Sequence, residues 1–195
     1  MLVDSNTDRL AYVSHGLTGY LVRSRIIERL CAGSDPGAID DVIAFAGDGD
    51  GDGDGSVLRR LANGDLAADD PAGNVYALEV LCDYFGMALA NDELAPIGGP
   101  EALEEFSDAL TGVGFDGHVS PRELMDFRPP VPVPSPDDFP FVHTVAHADA
   151  YPVAVAYEAV VPALDGTDWG PAADQLAQWL FATHRSGKDL VIFYY

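Results

Sequence analysis

Five of the nine residues from 128 to 136 are proline, in the run RPPVPVPSP. Each proline fixes φ and withdraws a backbone donor, so the stretch enters neither a helix nor the middle of a sheet. It reads as an ordered, extended arm laid along the surface and continuing through Asp137, Asp138 and Phe139 to Pro140. The arm divides the chain into two parts of different texture.

Before the arm, apolar residues recur at helical spacing. Leu17, Tyr20, Leu21, Ile27 and Leu30 form one such stripe. Ser34, Asp35 and Pro36 then offer a cap and a first-turn proline ahead of Ala38, Ile39, Val42, Ile43 and Ala46. A short helix is predicted over 56–62, stopped by Asn63-Gly64. A longer one begins near Gly73 and turns Val75, Leu78, Leu81, Cys82 and Phe85 inward. Another covers 100–110, with Leu103, Phe106 and Leu110 on one side. Ser120, Pro121 and Glu123 make a capping box with proline at the first helical position, which predicts a short helix to Phe127.

After the arm, valine-rich runs at 142–147 and 153–161 read as strands. Residues 168–185 form an amphipathic helix that buries Ala172, Leu176, Trp179 and Leu180 and stops at Ser186-Gly187. The run LVIFYY at 190–195 is a strand. The fold class that follows is α+β, a helical N-terminal half packed on a small, mainly antiparallel C-terminal sheet. Residues 1–195 read as a single domain with a flexible Asp-Gly loop at 47–55 and the proline-rich arm at 128–140. A chain of this size buries roughly 70% of its unfolded surface, enough for a core without disulfides or metals.

Charge narrows the function. Thirty-two Asp and Glu stand against ten Lys and Arg, a formal net charge of −22. A nucleic-acid backbone or an anionic membrane needs a basic face, so neither is an expected partner. Nine of the ten cations are arginine, and Lys188 is the single lysine, which fits a GC-rich genome or a salt-rich cytoplasm. In molar salt the Debye length falls to about 3 Å and dense carboxylates cease to repel. A basic protein partner is the third reading of the same excess. Cys31 and Cys82 lie in apolar stretches and read as free thiols. The opening MLVDSNTDRL has no signal-peptide pattern and no apolar run is long enough to span a bilayer, so a cytoplasmic location is expected.

Few motifs carry chemistry. The alternation from Asp48 to Gly55 places Asp50, Asp52 and Asp54 at the first ligand positions of a calcium loop, but position twelve is Leu61 where a bidentate Glu is needed. A flexible low-complexity loop is the plainer reading. His143, His147 and Asp149 fall at even spacing, so a strand would turn them to one face as a metal patch. Solvent-facing strand histidines are the alternative. Asp116 and His118 have the types of a base and its orienter, as loop residues often do, and His184 suits the end of a helix as a cap. Neither a nucleophile elbow nor a phosphate-binding glycine-lysine loop occurs, and no cofactor is expected. Asp137 and Asp138 followed by Phe139, with Trp169 at a rim, have the composition of an interaction surface: acids around aromatic anchors.

The segment from Tyr76 to Tyr84 (YALEVLCDY), the proline run into DDFP at 137–140, and the terminal DLVIFYY at 189–195 together carry a resemblance. The pattern over 56–195 resembles an uncharacterised family of small, acidic actinobacterial proteins, a domain of unknown function. That resemblance implies no catalytic residue.

Two functions therefore stand side by side. One is a non-enzymatic acidic interaction protein, immunity-like or regulatory, that masks a basic surface through Asp137, Asp138, Phe139 and Trp169. The other is a metal-dependent enzyme using His143, His147 and Asp149. A salt-adapted scaffold without a charged partner is the third possibility.

Overall fold

A computed structural model describes residues 15–47, 55–66 and 69–195. The first residues and the calcium-loop positions Asp50, Asp52 and Asp54 lie outside the described residues.

Three strands form an antiparallel sheet: β1 (Leu17–Val22), β2 (Phe141–Val145) and β3 (Asp189–Tyr194), in the spatial order β1-β3-β2. Leu17 and Phe141 both lie opposite Tyr194, one on each side of the central strand. Here the helical reading of Leu17, Tyr20 and Leu21 is corrected. Their three-and-four spacing is real, but all three are buried, because β1 is covered on both faces. A strand hidden on both sides shows no polar alternation and cannot be told from a buried helix by period.

Helices cover the sheet on two sides. On one lie α1 (Ser24–Cys31), α2 (Pro36–Gly47), α3 (Gly55–Ala62) and α4 (Pro71–Phe85). On the other lie α5 (Pro100–Gly112), α6 (His147–Val160) and α7 (Trp169–Ser186). The expected α+β class is therefore observed, with most helices in the N-terminal half. The strand expected at 153–161 is not: it is the body of α6. Ala150, Val153, Ala154, Tyr157 and Val160 recur on one helical face and are buried, and alanine between the valines favours helix over strand. Pro152 sits inside α6 with an exposed side chain.

Local chemistry sets the other boundaries. Asp70 caps α4 by accepting from Gly73 N at 3.0 Å, with Pro71 at the first position. Glu123 accepts from Ser120 N at 2.7 Å, completing the capping box before a short 3-10 helix, Pro121–Met125. Gly187 ends α7 in the left-handed conformation, φ 64°.

The two hydrophobic cores draw on opposite faces of the sheet, and β3 serves both. Leu190, Ile192 and Tyr194 face the core of α5, α6 and α7, while Val191 and Phe193 face the core of α1 to α4. On β1, Gly19 faces α7, and a Cβ there would come within 2.7 Å of the Trp179 ring. The proline-rich arm is more than a surface strap. Arg128 N donates to Val142 O at 2.8 Å, and Val131 and Val133 are buried in the α1–α4 core. The opposite sheet edge is covered by residues 86–97. Met87 exchanges backbone bonds with Leu21, Leu89 N donates to Gly19 O, and Leu17 N donates to Leu94 O. This removes an open strand edge. Gln175 of α7 clamps that segment: its Oε1 accepts from Glu93 N (2.7 Å) and Leu94 N (3.1 Å), and its Nε2 donates to Ala90 O. Trp179 Nε1 donates to the same carbonyl at 2.8 Å. Among the described residues, no helix is long and apolar enough to cross a membrane.

Candidate functional site

Helix α5 follows the clamped segment and is sharply two-faced. Leu103, Phe106, Ser107 and Leu110 are buried. Glu101, Glu104, Glu105 and Asp108 recur at i, i+3, i+4 and i+7 on the exposed side. Within that stripe every i,i+3 or i,i+4 neighbour is a like charge, and each such pair costs a helix roughly 0.2–0.5 kcal/mol. Among the described residues, one cation answers it: Arg122 donates to Asp108 at 3.1 Å.

Of the two aromatic residues expected at an interaction surface, Trp169 packs on this helix and Phe139 packs on the end of β3. The Phe139 ring is half-buried against Tyr194 (5.1 Å between centroids), Phe141 (5.3 Å) and His15 (4.8 Å). Tyr194 OH donates to Gly98 O at 2.9 Å, just ahead of α5. Burial, with the nearby Glu101 charge, pushes the Tyr194 phenol up to about 12. Phe139 is thus linked to the chain ahead of α5 through Tyr194, while Asp137 and Asp138 remain exposed. Trp169 stacks on Phe106 of α5, 5.1 Å apart and 11° from parallel, and is half-buried, with exposed Asp165 and Asp168 leading up to it. Packing fixes both rings, and their acids stay hydrated.

The metal patch is not assembled in this way. His143 is buried in β2, its Nδ1 3.3 Å from Asp126 O, and burial pushes its imidazole down toward the neutral form. The chain leaves the strand at Ala146, so His147 opens α6 and Asp149 lies exposed in its first turn. The shared strand face on which that reading depended is absent. Among the described residues, no group of three or more His, Cys, Asp or Glu is placed to hold a metal ion. Asp116 and His118 are both exposed in the turn after α5.

One titratable group escaped the sequence reading. Glu79 of α4 accepts a hydrogen bond from Tyr20 OH at 3.0 Å and another from Tyr195 OH. Burial pushes its carboxyl up to about 7, the Tyr20 bond pulls it down, and the Asp83 charge adds to the rise. Tyr76 stacks on Tyr195 at 6.0 Å. Both Glu79 oxygens are occupied by tyrosines, so the group works as a tie between α4 and the end of β3. The only signal for it in sequence is a Glu on the inward-leaning side of an apolar helix.

A family model, a domain of unknown function called DUF7691, matches residues 14–195. The chain belongs to this family. The DUF7691 match begins well ahead of 56, so it takes in β1 and α1 to α3 as well as the segments that carried the resemblance. No curated protein and no solved structure matches the chain.

Proposed function

We propose that this DUF7691 protein is a non-enzymatic interaction protein, immunity-like or regulatory, that docks a basic protein partner on the α5 face. The observation that carries this reading is the stripe of Glu101, Glu104, Glu105 and Asp108, answered by a single arginine among the described residues, with Trp169 stacked on Phe106 of the same helix. Retained self-repulsion on one helix face is relieved when a cationic surface covers it. Half-buried aromatic rings held by packing lose little freedom on binding and suit central anchors. Asp137 and Asp138 extend the negative field toward the arm and steer encounter.

The site of action is the cytoplasm. Cys31 and Cys82 are free, and burial pushes the Cys31 thiol up to about 11, so it stays protonated and unreactive. An actinobacterial source fits nine arginines against one lysine.

The test is capture of basic proteins from the native host on immobilised protein, followed by stopped-flow kinetics with the purified partner. Asp137→Lys with Asp138→Lys should slow association about tenfold at low salt, with the difference fading as salt rises. Phe139→Ala and Trp169→Ala should mainly speed dissociation. An association rate that ignores the charge reversal at low salt would sink the proposal.

A further inference from the structure

The opposite charge is gathered elsewhere. A cleft of about 730 Å³ lies where the β1–α1 junction, the start of α6 and the turn from α7 to β3 meet. Arg23, Arg25, Arg29 and Lys188 line it, four of the chain's ten lysines and arginines. Arg59, Arg60, Arg122 and Arg128 each lie within 3.7 Å of a carboxylate. The four in the cleft have no such partner among the described residues, although the chain has 32 carboxylates to offer. Arg185, also without one, closes α7 just before the same turn.

We propose that this cleft binds a small organic phosphate, a phosphomonoester held by Arg23, Arg25, Arg29 and Lys188. Three features of the cleft fit that ligand. First, Arg25 and Arg29 are one helical turn apart on α1, a like-charged pair that weakens an isolated helix. No acid occupies the first turn of α1, and its cap residue, Arg23, makes no side-chain capping bond. Cations at that end oppose the helix dipole, and an anion between them removes the conflict.

Second, the two acids of the cleft leave a matching charge. Asp189 is engaged as scaffold: it accepts from Ser24 Oγ at 2.6 Å and His147 N at 3.0 Å, with His147 Nδ1 at 3.3 Å. Those bonds join β1–α1, α6 and β3 around the cleft floor without using any of the four cations. Glu28 is the other acid on the wall. Four positive charges against two negative leave an excess of two, and a phosphomonoester carries about −1.5 to −2 at neutral pH. Guanidinium forks bind its oxygens in pairs.

Third, the volume suits a ligand larger than phosphate, within the roughly 300–1,000 Å³ of small-molecule sites. Ile26 gives the wall an apolar stretch for the organic part. A long nucleic acid is excluded by the chain's net charge of −22. The inference is independent of the α5 surface.

The experiment is calorimetric titration of the full chain at low salt with inorganic phosphate, adenosine 5′-phosphate, glucose 6-phosphate and adenosine. At least one ester should bind, more tightly than inorganic phosphate, and adenosine should not. Arg25→Gln and Arg29→Gln should each weaken that ester roughly tenfold or more, while the remote Arg122→Gln changes it less than about twofold. Arg25 and Arg29 are exposed and have no carboxylate partner among the described residues, so the variants should melt at or slightly above the parent. In the unmodified chain, the ester should shift the amide resonances of Ser24, Arg25 and Gly187. The proposal is overturned if no ester binds, if the cleft variants bind as the parent does, or if inorganic phosphate binds as tightly as the esters. Binding of a single-stranded RNA oligonucleotide that the esters fail to displace would equally overturn it.

Discussion

Glu105→Lys should make the protein more stable. Glu105 has Glu101 four residues before it and Asp108 three residues after it on the exposed face of α5. The substitution turns two repulsive pairs into two attractive ones. At roughly 0.2–0.5 kcal/mol for each repulsion removed and each attraction gained, the change sums to about 1–2 kcal/mol. Arg122 already draws on Asp108, which places the result toward the lower figure. Position 105 is mid-helix, so the macrodipole contributes little. For a chain of this size each kcal/mol moves Tm by about 2–4 °C, giving a rise of about 2–8 °C at low salt. The assay is thermal melting by circular dichroism at low salt and again in about 1 M salt, where the Debye length of about 3 Å should erase most of the gain. The same variant should associate more slowly with the basic partner, a trade of binding for stability. A Tm that stays level or falls at low salt, or a rise that persists undiminished at high salt, would refute the claim that this face repels itself.

Two further outcomes follow from buried polar groups. Gln175→Leu keeps the volume but removes three hydrogen bonds to residues 90, 93 and 94, and should cost about 2–4 kcal/mol in urea unfolding, with faster hydrogen exchange at the Leu94 amide. A loss below about 1 kcal/mol would mean the clamp is dispensable. Glu79→Gln tests the raised carboxyl. A folded-state value of about 7 against the usual 4.5 means the folded chain holds this proton more tightly than the unfolded one. Its stabilising contribution is therefore full below 4.5 and is lost as pH rises through about 7. The variant cannot ionise there, so its stability relative to the parent should climb across that window and level off above it. Parallel urea midpoints that never diverge would show that Glu79 is not perturbed.

The helical texture was legible where a polar face alternated with an apolar one. The stripes of α4, α5 and α7 and the capping box at Ser120 and Glu123 were readable because polar and apolar residues alternate with the period of the helix. Legibility failed at two elements, for different reasons. Tyr20 and Leu21 of β1 satisfy helical spacing while covered on both faces, and valines at 153–161 suggested a strand although Ala150, Ala154 and Tyr157 complete a helical face. The second error dismantled the His143, His147 and Asp149 patch, since side chains that alternate on a strand diverge when a helix starts between them. Asp137, Asp138, Phe139 and Trp169 were visible by composition, but the stacking of Trp169 on Phe106 and the edge contact of Phe139 with Tyr194 were not. Arg23, Arg25 and Arg29 were also in view, three of nine arginines within seven residues. Their gathering into one cleft waited on the α7–β3 turn and the start of α6, which bring Lys188 and His147 from far along the chain.

The position of β3 also governs how the chain can fold. Neither hydrophobic half is closed without it, because alternate side chains of one strand complete both. The α1–α4 half precedes its wall, residues 189–194, by most of the chain. Pairing Leu17 with Tyr194 closes a loop of almost the whole described length, the kind of long-range contact that slows folding.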